Sequence, residues 1–418
     1  MINLKNALAD NIRRDIEALS SFNQTPGAGI TRLVFTDEEI EARKYIKFRM
    51  NEIGLVVRED AIGNIIGKLK GSDDKLAPVW TGSHIDTVLN AGQFDGMAGV
   101  VAGIEAIRLI KESGCSHKRD IEVVVFTSEE PARFGKGCLG SRALAGELTL
   151  NDIKNLKDDL GQSLEDVLLQ RGYNINEFNK VKKSLGEVYS FVELHIEQGA
   201  VLEDTGSKIG IVTAISAPTD IRVTVNGVQQ HAGATPMHMR KDTLTASSEI
   251  ILELEKMARA SKNISTVVTV GIIDAFPGAS NVIPGKTSFS IDLRSTDFEE
   301  KCKIINSLNQ YTDYISSLRN VEITTEIICN EKPEKADTYI IDAIKNSCAE
   351  KNIKYNIMHS GAYHDSMFVA HFAPFGMIFV PSKNGISHNI EEWTDYEDIA
   401  SGTDILSEIL LNLSNEIK

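Results

Sequence analysis

A strand, a loop and a helix follow one another in residues 79–114, VWTGSHIDTVLNAGQFDGMAGVVAGIEAIRLIKESG. The segment Val79–Ile85 is largely apolar, as expected for a parallel strand that is covered on both faces of its sheet. From Val100 to Ile110 apolar residues recur at helical spacing, and Gly114 is a typical helix stop. Because strands that alternate with helices form α/β sheets, this stretch predicts an α/β fold.

Further apolar runs predict that the same sheet continues along the chain. They are Ile121–Phe126, Tyr189–Ile196 and Met377–Val380. The last of these runs lies close to the end of the sequence. The chain must therefore return to this sheet after any segment that is inserted in its middle.

The middle of the chain has a different pattern. Residues 220–227, DIRVTVNG, and residues 286–295, KTSFSIDLRS, alternate apolar and polar side chains, which is typical of half-exposed antiparallel strands. The segment between them at residues 245–263 has a helical pattern. We therefore predict an inserted α+β domain at residues 217–329 and a main domain formed by residues 1–216 and 330–418.

Composition and charge exclude several classes of partner. The 418 residues carry a formal net charge of −15, whereas nucleic acids and anionic membranes favour basic patches. The five cysteines lack CxxC spacing, which favours a reducing compartment without disulfides. Residues 1–22 predict an amphipathic helix rather than a signal peptide, and no apolar run reaches the roughly 18 residues of a membrane span. We expect a cytoplasmic protein that binds neither nucleic acid nor membrane.

Histidines and acidic residues collect where the predicted strands end, and ligands of open α/β sheets bind at that edge. A single histidine or an adjacent pair of glutamates is usually structural, but a metal site accounts for all of them together. The residues are His84 and Asp86 after one strand, Glu129 and Glu130 after the next, His195 and Glu197 at a third, His388 after the last, and Asp95 before the helix.

Imidazoles and carboxylates are ligands of Zn²⁺, Mn²⁺ and similar ions. Two such ions about 3.5–4 Å apart need a bridging carboxylate, and Asp95 is the natural bridge. Asp86 would lie behind His84 and fix the orientation of its imidazole. Of the neighbours Glu129 and Glu130, one can bind a metal ion while the other acts as general base.

Short motifs in the same order resemble one known family. They are GSHIDTV, GQFDGMAG, FTSEEPARFG, ELHIEQG, NGVQQHAGATPM, NVIPG, DLRS and GISHN, spread from about residue 80 to residue 390. The chain resembles the amidase branch of the di-metal aminoacylase/dipeptidase family, which includes N-carbamoyl-L-amino-acid hydrolases, allantoate amidohydrolases and ureidoglycolate amidohydrolases. The resemblance implies an exopeptidase-like catalytic domain with a mixed sheet, and an inserted lid domain that forms a homodimer.

The resemblance also implies a role for each candidate ligand. His84 and His195 would hold one metal ion, Glu130 and His388 the other, with Asp95 as the bridge and Glu129 as the base. The cofactor would be two divalent ions per subunit, Mn²⁺ or Zn²⁺, with Co²⁺ and Ni²⁺ as alternatives. The peptidase relatives carry an aspartate at the position of His195, so this histidine favours the branch that hydrolyses ureido compounds.

Substrate contacts follow from the same resemblance. His231 and Asn281 would hold the developing oxyanion, and Gln198 would contact the substrate. Arg294 would bind the substrate carboxylate, with an exposed arginine on a sheet surface as the alternative. His364 would line the pocket and is a weaker candidate ligand than His388.

The segment AYHDS, residues 362–366, departs from the Gly-His-Asp-Ala of most carbamoylases and is similar to ureidoglycolate amidohydrolases. No role is assigned to His359, His371 or Tyr363. The predicted function is hydrolysis of the carbamoyl C–N bond of a small ureido acid, with release of ammonia and carbon dioxide. The alternatives are a dipeptidase or aminoacylase that uses the same metal ions, and a non-catalytic binding protein of the same fold.

Overall fold

The structure is a computed structural model that describes residues 4–416. The chain divides into two compact units. The described part of the first unit is formed by residues 4–213, 336–358 and 364–416, and the second unit by Ala214–Lys335 and His359–Tyr363. The predicted insertion at residues 217–329 falls inside the second unit, whereas the short return segment at 359–363 has no signal in the sequence.

The strands, in chain order, have the following bounds: β1 Val56–Glu59, β2 Ile65–Leu69, β3 Val79–His84, β4 Ile121–Phe126, β5 Ser190–Ile196, β6 Ile209–Ile215, β7 Ala217–Asn226, β8 Gln230–His231, β9 Val267–Thr269, β10 Ile273–Phe276, β11 Val282–Ile283, β12 Lys286–Ser295, β13 Glu322–Asn330, β14 Glu334–Lys335, β15 Tyr355–Ser360 and β16 Phe375–Val380.

The α-helices have these bounds: α1 Ala9–Ser20, α2 Asp37–Glu52, α3 Met97–Ser113, α4 Leu139–Ala145, α5 Leu150–Asn155, α6 Leu164–Gln170, α7 Val201–Thr205, α8 Thr243–Arg259, α9 Phe298–Arg319, α10 Thr338–Glu350, α11 Ser366–Val369 and α12 Tyr396–Asn415. Short 3₁₀ turns occupy Ile175–Lys180, Met237–Met239 and Lys383–Gly385.

The first unit is built on a mixed sheet with the strand order β1-β2-β4-β3-β5-β16-β6. The four central strands β4, β3, β5 and β16 are parallel to one another, and β1, β2 and β6 add antiparallel pairs at the two sides. Every residue of the four central strands is buried, as their apolar runs predict. Their carboxyl ends therefore meet at one edge of the sheet.

Helix α3 covers the sheet and packs against α1 and α12. It ends at Ser113, and Gly114 takes a left-handed conformation with φ of 67°, which confirms the predicted stop. The helix predicted within residues 1–22 begins only at Ala9. Leu8 precedes α1 with an extended backbone and is exposed, whereas the apolar residues Ile12, Ile16 and Leu19 of α1 are buried. Residues 1–3 of the predicted segment lie outside the described residues.

The second unit has an antiparallel sheet with the order β10-β12-β7-β13, and β9 pairs with β12. Burial alternates along β7 and β12, which confirms the period-two prediction. The inward residues of both strands form one core with α8 and α9. A separate two-stranded ribbon, β8 with β11, lies outside this sheet.

Among the described residues, no helix combines the length and the apolar character that crossing a bilayer requires.

Gly99 on α3 offers a stability test. Alanine normally favours a helix over glycine by roughly 1 kcal/mol. A β-carbon at Gly99 would instead lie 2.3 Å from the Leu194 carbonyl oxygen and 2.8 Å from the Ser83 β-carbon. Gly99→Ala should therefore lower the free energy of unfolding by roughly 1–3 kcal/mol, as measured by urea denaturation. Asn412→Ala, at an exposed position of α12, should leave it within about 0.5 kcal/mol, and equal effects of the two changes would contradict the close packing.

Candidate metal centre

The sheet edge of the first unit collects imidazoles and carboxylates, all of them buried except His388. Each comes from the carboxyl end of a central strand or from the loop that follows it: His84 ends β3, Asp95 lies between β3 and α3, Glu129 and Glu130 follow β4, His195 lies near the end of β5, and His388 follows β16. The parallel strands place these loops side by side. The grouping thus follows from the topology of the sheet.

One group of potential ligands contains His84, Asp95 and His195, and all three side chains are buried. The Asp95 Oδ1 atom lies 3.2 Å from Nε2 of His195 and 3.8 Å from Nε2 of His84. The next residue, Gly96, has φ of 67°, and a β-carbon there would lie 2.4 Å from the His84 ring. A glycine is therefore required for the imidazole to lie this close to the backbone of the Asp95 loop.

The second group contains Asp95, Glu130 and His388. Nε2 of His388 lies 2.9 Å from the Asp95 Oδ2 atom and 3.3 Å from Oε1 of Glu130. Asp95 is thus common to both groups, and each of its oxygens faces a different one. The His388 side chain is 48% exposed and so forms the open side of the centre.

Hydrogen bonds fix which ring nitrogen of two histidines faces Asp95. Nδ1 of His84 lies 3.0 Å from the carbonyl oxygen of Asp86, and Nδ1 of His195 lies 2.9 Å from the carbonyl oxygen of Ile196. A carbonyl only accepts hydrogen bonds, so each Nδ1 carries the proton. Nε2 of each ring therefore faces the centre, and once it is deprotonated it would present its lone pair to a metal ion, the usual arrangement of metal-binding histidines.

The electrostatics of the centre also fit a cation. Burial would raise the pKa of Asp95, but hydrogen bonds with His195 and His388 hold it well below its usual range. The hydrogen bond to Asp95 raises the pKa of His388 to about 10. Burial lowers the pKa of His195, but the contact with Asp95 outweighs it and the pKa rises to about 9. Protons on these imidazoles balance the buried carboxylate, and divalent cations would supply the same counter-charge. The donor set of imidazoles and carboxylates therefore fits the implied metal ions.

Asp86 acts on this centre differently from the expectation. The group that orients the His84 ring is the main-chain carbonyl of Asp86, and the carboxylate lies farther away, with Oδ1 3.8 Å from Nδ1. The buried carboxylate instead accepts the backbone N–H groups of Glu129 at 3.2 Å and Glu130 at 3.0 Å. It thereby holds the turn in which the two adjacent glutamates point in different directions.

Glu129 belongs to neither ligand group, although it is buried beside them. Its Oε2 atom lies 3.7 Å from Nε2 of His84, and the Cys138 thiol donates a weak hydrogen bond to its Oε1 at 3.7 Å. Burial, together with the neighbouring carboxylates of Glu130 and Asp365, raises the pKa of Glu129 well above its usual range. Such a carboxyl group takes up a proton more readily than an ordinary glutamate does.

A third group of potential ligands contains Glu193, His195 and His364. Both oxygens of Glu193 already accept hydroxyl groups, from Ser83 at 2.9 Å and from Ser366 at 2.6 Å. The His364 ring packs against His195 with 4.5 Å between the ring centroids. Glu193 is not among the residues predicted from the sequence, because it lies inside a fully buried strand.

Gln198 lies at the same edge of the sheet. Its side-chain Nε2 donates to the Asp95 Oδ2 atom at 3.0 Å and to the Ser387 hydroxyl at 3.3 Å. The amide is thus turned toward the shared carboxylate. Contact of Gln198 with substrate stays a prediction.

His231 and Asn281 are exposed residues of the second unit, where His231 ends β8 and Asn281 directly precedes β11. Ala232 donates its backbone N–H to the Asn281 carbonyl oxygen at 2.9 Å, so the two predicted contacts are adjacent. Nδ1 of His231 accepts the backbone N–H groups of Gly233 and Ala234, both at 3.1 Å. The proton of the neutral ring is therefore on Nε2, which is the form that can donate a hydrogen bond outward.

Arg294, also in the second unit, projects from the outer face of β12. Its Nε and Nη2 atoms donate to the Asp292 carboxylate at 3.0 and 2.9 Å, and Nη1 donates to the Gly361 carbonyl oxygen at 3.0 Å. The guanidinium is therefore held in a fixed orientation by its own unit. Recognition of a substrate carboxylate by Arg294 stays a prediction.

Comparison with known proteins identifies the family. Residues 80–412 match the sequences described as Peptidase family M20/M25/M40, and the chain belongs to this family. The resemblance inferred from the motifs is thereby confirmed. Members of the family generally depend on two metal ions, and the two ligand groups around Asp95 are candidate sites for them.

Individual relatives are similar along nearly the whole chain. A ureidoglycolate hydrolase of Oryza sativa subsp. japonica is 42% identical over 97% of this chain and 85% of its own length. An N-carbamoyl-L-amino-acid amidohydrolase of Pseudomonas sp. (strain NS671) is 38% identical over 96% of this chain and 97% of its own. The crystal structure of AtUAH in complex with (S)-hydroxyglycine superposes with a TM-score of 0.85 at 40% identity, over 98% of each chain, which confirms the predicted fold class.

Divalent cations should stabilise the protein through this centre. At a concentration 100-fold above Kd, binding at one site raises the free energy of unfolding by about 2.7 kcal/mol. Thermal unfolding of chelator-treated protein with and without Mn²⁺ measures this gain. Asp95→Asn should lose most of it, because both groups lose the charge that they share.

Glu197→Gln is the matched control. Glu197 is buried at the same edge of the sheet, but its carboxylate accepts the N–H groups of Val201 and Leu202 and belongs to none of the three groups. This variant should keep the stabilisation by Mn²⁺. An equal gain for wild type and Asp95→Asn would place the metal ions elsewhere.

Proposed function

We propose that this protein is a metal-dependent amidohydrolase that cleaves the carbamoyl C–N bond of a small ureido acid and releases ammonia and carbon dioxide. The observation that carries the proposal is the pair of ligand groups that share Asp95, with the buried carboxyl of Glu129 beside them and in neither group. The names of the similar proteins support the substrate class. Among candidate substrates we place ureidoglycolate first, because the AYHDS segment is similar to enzymes that act on it.

Two divalent ions, Mn²⁺ or Zn²⁺, would be held by the residues around Asp95. His84 and His195 would complete one site, and Glu130 and His388 the other. Once bound, such ions polarise a carbonyl group and lower the pKa of water from 15.7 towards about 7.

Glu129 is the group that moves the proton. It takes a proton from the attacking water on a carboxylate oxygen and later gives it to the leaving amine nitrogen. Its raised pKa helps the second step, because it favours the protonated form that donates to the leaving nitrogen. The hydrogen bond that the Glu129 backbone N–H donates to the Asp86 carboxylate keeps the Glu129 backbone in place during the proton transfer.

We also propose substrate contacts for three residues of the second unit. His231 donates from Nε2 to the oxyanion that forms from the substrate carbonyl, and Asn281 assists it. Arg294 binds the substrate carboxylate. We further propose that the protein is a homodimer through this unit, whose exposed apolar side chains include Ile272 and Phe276.

Release of ammonia by the metal-reconstituted protein tests the proposed function. The substrate panel contains ureidoglycolate, allantoate, several N-carbamoyl-L-amino acids, N-carbamoyl-β-alanine and a few dipeptides. We expect turnover of at least one ureido acid and none of the dipeptides. Hydrolysis of dipeptides without ammonia release from any ureido compound would favour the dipeptidase alternative.

Glu129→Gln should abolish most of the turnover while both metal ions stay bound, because the amide cannot accept the proton. Steady-state kinetics together with the metal content of the same sample measures the two effects. Near-normal kcat in this variant would remove Glu129 as the base.

His231→Ala should lower kcat by about 10²–10³, which is the typical cost of losing one donor to an oxyanion. Metal content should not change, since the residue belongs to no ligand group. His238→Ala, at a nearby exposed histidine of the same unit, is the matched control and should keep kcat. Equal rates for the two variants would contradict the proposed role of His231.

A further inference from the structure

Glu392 is a buried carboxylate in the loop between His388 and α12. Its Oε1 atom accepts the backbone N–H groups of Phe94 at 2.8 Å and of Asp95 at 3.2 Å. Its Oε2 atom accepts the hydroxyl of Ser387 at 2.8 Å. One side chain therefore joins the segment that carries Asp95 to the residue that directly precedes His388.

The hydrogen bonds around Glu392 form a closed ring. Gln198 donates to both the Asp95 carboxylate and the Ser387 hydroxyl, so the path from Asp95 through Glu392 and Ser387 returns to Asp95 through Gln198. Packing in this region is tight, because a β-carbon on Gly92 would lie 2.2 Å from the β-carbon of Glu392. The ring thus has little freedom to change its dimensions.

His388 needs such support more than the other candidate ligands do. His84 and His195 lie within central strands, and the turn of Glu130 is held by Asp86. His388 instead lies in a loop, with φ of 54° and a side chain that is 48% exposed. No strand or helix fixes its position.

We propose that Glu392 is a positioning residue that sets the distance between Asp95 and His388, and thereby the affinity of the second ligand group for its metal ion. The inference rests on the proposed metal centre. Glu392 does for Asp95 and His388 what Asp86 does for the glutamate turn: a buried carboxylate accepts backbone N–H groups and holds a ligand-bearing loop.

Substitutions separate the position of the side chain from its charge. Glu392→Ala leaves the N–H groups of Phe94 and Asp95 without an acceptor. Glu392→Gln retains an oxygen for them, and its amide N–H can donate to Ser387. The Ser387 hydroxyl can then turn to Oε1 of Gln198, a buried atom that has no hydrogen-bond partner among the described residues.

Titration of the metal-stripped, full-length protein with Mn²⁺ tests the proposal, with calorimetry for affinities and elemental analysis for the number of ions bound. We expect Glu392→Ala to weaken binding of one Mn²⁺ ion by about 10–100-fold, the usual effect of losing a group that orients a ligand. Glu392→Gln should stay within about threefold of wild type. Glu391→Ala, at the exposed neighbouring glutamate, is the matched control and should not change either affinity.

Ser387→Ala provides an independent test, because it cuts the link to His388 and leaves the acceptor for Asp95 in place. It should weaken the binding of the same Mn²⁺ ion whose binding Glu130→Gln weakens. If Glu392→Ala does not fold, this variant and Glu392→Gln decide the question. Unchanged Mn²⁺ affinities in Ser387→Ala would overturn the proposal.

Thermal unfolding distinguishes positioning from a purely structural role. A positioning role predicts that Glu392→Ala reduces the rise in Tm that Mn²⁺ causes. An equal loss of Tm in metal-free and metal-loaded protein, with both affinities unchanged, would overturn it. Absence of Mn²⁺ binding by the wild-type protein would instead refute the proposed metal centre itself.

Discussion

The carboxylate of Asp95 is the interaction on which the rest of the site depends. Each of its oxygens faces a different group of imidazole and carboxylate atoms, so the two groups exist as a pair only through this residue. Burying a carboxylate costs free energy unless its charge is balanced and its hydrogen bonds are satisfied, and several neighbouring groups do this for Asp95. Strand ends supply the imidazoles, and Gly96 lets His84 approach. Glu392 holds the Asp95 backbone.

The proposed roles of the histidines in the two units require opposite tautomers, and their backbone partners differ accordingly. Carbonyl groups at Nδ1 of His84 and His195 leave Nε2 facing Asp95, as metal binding by the deprotonated Nε2 requires. Backbone N–H groups at Nδ1 of His231 place the proton on Nε2, as an oxyanion donor requires. The local fold thus selects the chemistry of the same side chain, and the side-chain type alone does not reveal it.

The sequence predicts the central strands and the alternating strands of the second unit, because apolar periodicity is a local signal that burial directly produces. It also predicts that His84, Asp95 and His195 gather at one edge, since parallel strands end together. It does not predict the support of the site. That the carbonyl of Asp86 orients His84, and that Glu392 links two distant loops, depends on side-chain directions and on contacts between residues far apart in the chain.

The most direct test of the central claim is a crystal structure of the Mn²⁺-loaded protein with anomalous diffraction recorded from the metal. If Asp95 bridges the metal ions, two anomalous peaks about 3.5–4 Å apart are expected, one on each side of the Asp95 carboxylate. A single peak bound without Asp95, or peaks distant from this carboxylate, would contradict it.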